Sequence, residues 1–527
     1  MVDAKHEGKP RGEQLTLPID DFLTRSQTPK IPRERRVFCN RNLKMSQIAW
    51  VGFDMDYTLA IYDQAEMDDL SIRATVEKLV LRGYPEFIKD ITHPRDFPVR
   101  GLIIDKRYGH IVKMDRYKFV HKGYHGLREL TKDEIKELYL HKKIRPATPR
   151  YHWIDTLYAL SEVACYAALV TAMEERGFAI DYAKTFTDIR ECIDEAHRDG
   201  TILNAVAADL PRYIHRDPNL APTLHKLRSS GKKLFLLTNS RWSYSDKMMT
   251  YLLGGAMSEY PSWRNFFDVV ICAAQKPAFF QDHRPLLMRE GEMLRHATFP
   301  LERGKIYEGG NLADFERALA VPGDEVLYVG DHIYGDILRS KKDSAWRTAM
   351  IIQELEQETL AHDLCSEDYE RLDELESKRE HTEDELRFYQ SRVKELARMI
   401  ESKHAGAGHA SGSGGHAAHT GGSPAHSGAH SPTDLEAERI RIKRAIERLR
   451  GIIREVEAEV GTIDRRTNAR FHPFFGPLLK EGTEQSSFGK QVEEYACVYT
   501  SRVSNFLSYS PQQYFRSPRD VMAHELG

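Results

Sequence analysis

Clustered cysteine is missing from this chain. Its six cysteines, Cys39, Cys165, Cys192, Cys272, Cys365 and Cys497, stand singly, with no C-x-x-C pair and no short disulfide-type spacing. That argues against a disulfide scaffold or zinc ribbon and for a reduced compartment. Also missing is any run of about 18 apolar residues, the length a membrane-spanning helix needs. The polar opening MVDAKHEGKPRGEQ lacks the apolar segment of a secretory signal. Charge of one sign is not in excess, since 76 Lys and Arg face 79 Asp and Glu for a net charge of −3, so no global field draws in nucleic acid or an anionic membrane. These absences lead us to expect a soluble, cytoplasmic protein with neither nucleic acid nor membrane as partner.

What is present is material for several domains. The 527 residues, 41% of them hydrophobic, suffice for two to four domains of about 150 residues each. Four short apolar runs bounded by turn signals read as buried strands: Ile48 to Met55, Lys233 to Thr238, Val269 to Ala273 and Val326 to Gly330. Helical patterns between them predict an α/β core with a mostly parallel sheet covered on both faces. Roughly 175 residues separate the first two strands, far more than a crossover requires. They are expected to fold as a cap over the carboxyl edge of the sheet, where such folds bind ligands.

The C-terminal third changes character. Leu386, Tyr389, Val393, Leu396 and Ile400 recur at steps of three and four, as do Ile442, Ile446, Leu449, Ile453, Val456, Val460 and Ile463, the pattern of a helical hairpin. The connector is almost wholly His, Gly, Ala and Ser, too poor in bulky apolar groups to pack. Its histidines, His404, His409, His416, His419, His426 and His430, are irregularly spaced and lack nearby Cys or carboxylates, which favours a flexible linker over a metal site. The predicted domains are an extended arm (1–35), a catalytic core (36–64 and 221–365), the cap (65–220), the hairpin (366–403 and 432–465), a disordered His/Gly-rich linker (404–431) and a C-terminal helical segment packing on the core (466–527).

Three strands run into polar clusters, at Asp54 and Asp56, at Thr238-Asn239-Ser240, and at Asp331-His332 followed by Asp336. Hydrolysis of a phosphate monoester is among the slowest uncatalysed reactions, and a carboxylate nucleophile splits it into two easier steps. On an extended segment Asp54 and Asp56 point the same way, so one can attack phosphorus while the other protonates the leaving oxygen and later activates water. Two anions at a phosphate require a cation, and an oxygen-only donor set favours Mg²⁺. Asp331 and Asp336 offer further carboxylates, and Thr238 and Lys276 offer a hydroxyl and an ammonium for the phosphoryl oxygens.

The runs Phe53-Asp54-Met55-Asp56-Tyr57-Thr58-Leu59-Ala60, Thr238-Asn239-Ser240 with Tyr244-Ser245-Asp246-Lys247, and Gly330-Asp331-His332-Ile333-Tyr334-Gly335-Asp336-Ile337-Leu338 resemble the haloacid dehalogenase superfamily and, within it, the cytosolic purine 5′-nucleotidase family. The resemblance covers about Arg36 to Ile352 and resumes from Glu494 to Glu525. It implies a haloacid-dehalogenase-like, three-layer Rossmann-type core with a large cap insertion, followed here by the C-terminal helical hairpin. It further implies Asp54 as nucleophile, Asp56 as acid and base, and Thr238, Asn239, Ser240 and Lys276 as phosphate holders. Mg²⁺ would be held by Asp54, the Asp56 backbone carbonyl and Asp331, with Asp336 supporting the metal site. The substrate implied is a purine nucleoside monophosphate such as IMP or GMP, with phosphotransfer to nucleosides as a second outcome.

In the cap, Arg190, Asp194 and His197 match the family's nucleotide-binding segment and fall on one helix face at i, i+4 and i+7, with Tyr158 available to stack on a base. Three positions depart from the family: Ala159 replaces an amide, Arg198 an aromatic residue and Leu203 a lysine. Arg145, Asp155, Tyr334 and Lys342 fall where the family holds an activating nucleotide such as ATP, and the family's habit implies a homo-oligomer, a dimer or tetramer. Two rivals stand beside this reading. One is a phosphatase for another small phosphate ester, and the other is an inactive scaffold assembling through the hairpin.

Overall fold

The computed structural model describes residues 30–140, 144–338, 344–408 and 431–518. Seven strands form the parallel heart of the molecule: β1 (Trp50–Phe53), β2 (Lys233–Leu237), β3 (Val269–Cys272), β4 (Ile306–Gly309), β5 (Val326–Gly330), β6 (Arg347–Ile351) and β7 (Val498–Thr500). Their order across the sheet is β7-β6-β5-β1-β2-β3-β4, all neighbours parallel, with Phe38–Cys39 on one edge and the hairpin Leu286–Glu290/Met293–His296 on the other, all antiparallel.

The strands are continuous apolar runs because both faces are covered. Val51, Phe53, Leu234, Leu236, Leu327 and Val329 enter one buried cluster, while Trp50, Phe235, Leu237, Val326 and Tyr328 enter another on the opposite face, the period-two alternation of a pleated strand. Helices Leu220–Ser229 and α4 (Trp242–Leu253, numbered after the three cap helices below) supply Leu224, Met248 and Met249 to the first cluster. Ala278–Gln281 and Leu312–Leu319 supply Phe279 and Phe315 to the second. Gly52 is required where it stands, because a Cβ there would lie 2.0 Å from the Phe235 ring.

Residues between β1 and β2 form the cap. Its helices are α1 (Gln64–Leu81), α2 (Leu160–Glu175) and α3 (Tyr182–Arg198). Asp63 caps α1 by accepting from the Glu66 amide at 3.0 Å, and Asp181 caps α3 through the Lys184 amide. Helix α2 is buried nearly all round, so it is the cap's interior. Helix α3 buries Phe186, Ile189, Ile193 and Ala196 along one stripe and leaves its charged face outside. A five-stranded antiparallel sheet, Arg128–Glu129, Val120–His125, His110–Met114, Leu102–Asp105 and Tyr151–Ile154 in that order, completes the cap. Where the chain leaves and re-enters the core, Ile61–Tyr62 and Ile214–His215 pair antiparallel.

Beyond the sheet, α5 (Ser366–Gly408) and α6 (Pro432–Phe471) lie antiparallel. Tyr389, Val393, Leu396 and Ile400 of α5 meet Leu435, Ile442 and Ile446 of α6, and Leu375 meets Val456 and Ile463 nearer the core. Exposed pairs flank the seam, Arg371 with Glu459 at 2.8 Å and Arg392 with Glu438 at 3.1 Å. Helix α5 continues through 404–408, the first residues of the expected disordered linker, while the rest of that linker up to residue 430 lies outside the described residues, as do most of the expected N-terminal arm and Lys342.

Of the expected helical segment 466–527, residues 519–527 lie outside the described residues and the rest is only partly helical. After α6 the chain makes the short pair Lys480–Glu481/Glu484–Gln485 and one helix, Ser487–Tyr495, and then inserts β7 beside β6 in the main sheet. Val498 is buried there, and Thr348 Oγ1 donates to the Tyr495 carbonyl at 2.8 Å. A three-residue strand is too short to announce itself by periodicity.

Candidate active site

Four strand ends of the sheet converge. Asp54 follows β1, its amide held by the Val329 carbonyl of β5 at 2.9 Å and its Oδ1 accepting from the Met55 amide at 2.8 Å. Thr238 follows β2, Lys276 lies in the loop after β3, and Asp331 follows β5. Three residues in these loops, Tyr57, Ala273 and Gln275, hold positive φ values of 55°, 47° and 58° without being glycine, conformations that cost energy and persist only where the surroundings impose them.

At the floor, Lys276 Nζ lies 2.9 Å from Asp54 Oδ1 and donates to Asp336 Oδ1 at 2.6 Å and to the Tyr328 hydroxyl at 2.9 Å. Gly330 lets Asp336 in, since a Cβ there would come within 2.5 Å of the Asp336 side chain. Asp336 Oδ2 also accepts from the His332 amide at 3.3 Å. Asn239 clamps the lysine's backbone from both sides, accepting from its amide at 2.6 Å and donating to its carbonyl at 3.0 Å. Asp56 is held apart from this group: Tyr62 donates to Oδ1 at 2.5 Å and Ser240 to Oδ2 at 2.6 Å.

Burial pushes the Asp54 carboxyl up, against the Lys276 ammonium and with the Asp336 and Asp56 carboxylates adding to the rise. Asp331 is raised further, by burial and by Asp336 and Asp54. Asp56 is raised by burial while the Ser240 and Tyr62 hydroxyls pull it down. For Lys276 burial disfavours the charge, yet Asp336 and Asp54 hold the proton firmly. One ammonium thus faces a buried excess of carboxylate. Asp54, Asp331 and Asp336 each bring an oxygen within 4.8 Å of the others, a hard-oxygen donor set that fits a divalent cation. The Asp56 carboxylate lies outside that trio.

These groups form the floor of a cavity of about 730 Å³ whose far wall is the cap, with Tyr158 in the turn before α2 and Glu162, Asp194, His197, Arg198, Leu203 and Asn204 on α2, α3 and the helix Thr201–Ala208. The Tyr158 ring meets Tyr57 edge-on at 4.8 Å and His197 at 5.7 Å. Burial lowers the His197 imidazole's affinity for a proton, with Asp194 working the other way. Arg190 does not line the cavity directly; its Nε lies 3.2 Å from Glu162 Oε2, and the Glu162 carboxyl is pushed up to about 7 by burial, with Arg190 opposing.

The structure therefore brings Asp54, Asp56, Asn239, Ser240, Lys276, Asp331, Asp336, Tyr158, Asp194 and His197 around one cavity. Thr238 is fully buried beneath it, its Oγ1 accepting from the Ser240 amide at 3.1 Å. Of the expected effector residues, Arg145 and Tyr334 are exposed and Asp155 is half-buried within the field of His332 and Arg100. Sequence reasoning passes over Tyr62, Tyr328, Glu162 and Arg100. Tyr328 sits inside an apolar strand and shows no signal as a polar group. Arg100 lies far along the chain from its partners, donating to the Asp331 carbonyl at 3.0 Å and pairing with Glu354 at 2.6 Å.

The model of the 5′ nucleotidase family matches residues 37–527. A 5′-nucleotidase domain-containing protein of Dictyostelium discoideum is 29% identical over 511 residues, covering 93% of this chain and 74% of its own length. Human 5′-nucleotidase domain-containing protein 2 is 32% identical over 370 residues, covering 67% and 69%. Among solved structures, CbbY from Rhodobacter sphaeroides in complex with phosphate aligns with a TM-score of 0.23 at 15% identity, over 58% of this chain and 86% of that one. The HAD-hydrolase YfnB from Bacillus subtilis bound to magnesium aligns at 0.22 and 14%, over 58% and 88%.

Proposed function

The chain belongs to the 5′-nucleotidase family, which supports phosphate monoester hydrolysis, and from that premise we propose that it removes the 5′-phosphate of purine nucleoside monophosphates through a phosphoaspartate on Asp54. The observation that carries this reading is the Asp54 carboxylate, 2.9 Å from the Lys276 ammonium at the floor of a cavity large enough for a nucleotide, with Asp56 held beside it by two hydroxyls. An Asp54 oxygen attacks phosphorus while Asp56 gives its proton to the departing ribose oxygen. Asp56, now a base, then takes a proton from the water that cleaves the acyl phosphate. Lys276 spreads the developing charge on the phosphoryl oxygens.

Asp54, Asp331 and the Asp56 backbone carbonyl would hold Mg²⁺, with Asp336 fixing Lys276 and the loop that carries Asp331. The ion, when bound, supplies charge neutralisation between nucleophile and phosphate. Tyr158 offers a ring face to the base, with His197 and Asp194 at its edge. A nucleoside in place of water would give phosphotransfer. Activation by a nucleotide such as ATP, a homo-oligomeric assembly of two or four copies and a cytoplasmic site of action belong to the same proposal; no helix among the described residues is long and apolar enough to cross a membrane.

A second reading, a phosphatase for another small phosphate ester, is favoured by the cap alone, where Arg198 and Leu203 on the cavity wall and Ala159 next to Tyr158 stand in place of the groups that, by the resemblance, would read a purine nucleotide. One assay separates them: phosphate release from IMP, GMP, AMP, dIMP and a panel of sugar phosphates with Mg²⁺, with and without ATP, and Asp54→Asn as control. Preference for a purine nucleotide supports the first reading and preference for a sugar phosphate the second. A wild type no more active than Asp54→Asn would leave only the scaffold.

A further inference from the structure

The hydroxyls around Asp56 are more elaborate than a general acid requires for solubility. Both carboxylate oxygens are claimed, Oδ1 by Tyr62 at 2.5 Å and Oδ2 by Ser240 at 2.6 Å. Behind Tyr62 stands Tyr244, their hydroxyl oxygens 2.9 Å apart, and Tyr244 opens onto the cavity. A phenol has one hydrogen to give. With that of Tyr62 committed to Asp56, the Tyr62 oxygen accepts from Tyr244, and the donors run in one direction from Tyr244 through Tyr62 to Asp56.

The Tyr62 ring is itself immobilised. It is 4% exposed, packs against Tyr57 at 4.6 Å between ring centres, and belongs to the short strand Ile61–Tyr62 that pairs with Ile214–His215 where the cap joins the core. A buried tyrosine that serves only packing needs some partner for its hydroxyl; this one is spent on the one carboxylate whose orientation the reaction depends upon. A general acid must lie within hydrogen-bond reach of the leaving oxygen, and a misplacement of about 1 Å costs on the order of 100-fold.

We propose that Tyr62, backed by Tyr244, is the positioning residue that fixes the Asp56 carboxyl for proton transfer to the leaving oxygen. The proposal rests on the phosphatase reading above. In the step concerned, a bond forms between Asp54 and phosphorus and the bond from phosphorus to the ester oxygen breaks. Its electron pair stays on that oxygen, which takes the proton from Asp56; Tyr62 keeps its own. A ribose oxygen is a poor leaving group and needs that proton, whereas a nitrophenolate departs without it.

The test uses the full chain with Mg²⁺ and compares wild type, Tyr62→Phe and Tyr244→Phe on a nucleoside 5′-monophosphate and on p-nitrophenyl phosphate. The constant kcat/KM is the informative one, because it reports events up to departure of the leaving group. Tyr62→Phe keeps the ring and is expected to lose about 10- to 100-fold on the nucleotide, with KM unchanged, and less than about 3-fold on p-nitrophenyl phosphate. Tyr244→Phe, one bond further out, should lose about 3-fold on the nucleotide alone, and it carries the comparison if Tyr62→Phe does not fold. Equal losses on both esters, or none on either, in the presence of an active wild type overturn the positioning role. A wild type inactive on every ester overturns the phosphatase reading and this proposal with it.

Discussion

The floor of the cavity and its cap wall solve the problem of buried charge in different ways. At the floor, Asp54, Asp331 and Asp336 are buried around one ammonium, and the Lys276 side chain and the Tyr328 hydroxyl that they meet are buried with them. Behind the wall, Glu162 is buried at 10% exposure while its partner Arg190 is 41% exposed, so one end of that pair reaches solvent. The floor is therefore intolerant of change and the wall adaptable.

Four measurements would break or sharpen that contrast. The largest effect is expected from Asp54→Asn, which keeps the shape but removes the nucleophile. Phosphate release should fall by at least about 1,000-fold, and a residual rate near wild type would end the covalent mechanism. Next, Lys276→Met strips the floor of its cation. Because it takes the ammonium from between the buried Asp54 and Asp336 carboxylates, we expect a loss of about 3–5 kcal/mol in stability, read by thermal or urea unfolding, beside a fall in kcat/KM. The deficit should shrink when Mg²⁺ is added, since a divalent ion would restore the missing charge.

Asp68 on α1 shows what a buried carboxylate does without such a cation. It is 5% exposed, accepts only from Gln64 Nε2 at 2.8 Å among the described contacts, and is pushed up to about 7 by burial. Unfolded, the same group titrates near 4. Stability from keeping it protonated is thus fully present below about pH 4 and lost as pH rises to about 7. Asp68→Asn should leave stability at pH 4 unchanged and raise it at pH 8 by roughly 2 kcal/mol, a discounted share of the full shift. An equal effect at both pH values would remove the electrostatic cause. The smallest effect is expected on the wall: Leu203→Lys should alter KM for nucleotides by about 10-fold with kcat nearly unchanged, because it adds contact to bound substrate without touching the reacting atoms. A large change in kcat instead would place Leu203 with the floor.

Much of the floor was legible in advance for a local reason. A buried parallel strand is a continuous apolar run, so the polar residue that ends it stands out, and this exposed Asp54, Thr238 and Asp331 directly. Lys276 was legible only in company, as a charged residue just past a strand. Tyr62, Tyr328 and Glu162 were not, because an aromatic residue beside a strand, or an acid on a helix, looks like packing or a solvated face until its neighbours are known. The β7 strand and the clamp of Arg100 on the Asp331 carbonyl escaped because each joins segments more than 100 residues apart.

Pattern along the chain was thus enough to establish the sheet, the cap insertion, the helical hairpin and the kind of chemistry the strand ends can perform, since each follows from periodicity and residue type within a short window. Tertiary structure decided the rest. It brought Lys276 between Asp54 and Asp336, gave Asp56 its two hydroxyl donors, turned Arg190 toward Glu162 and set the width of the cavity. Those outcomes depend on distances of about 3 Å between segments remote in sequence, and in a low-dielectric interior such distances govern how much each charge costs.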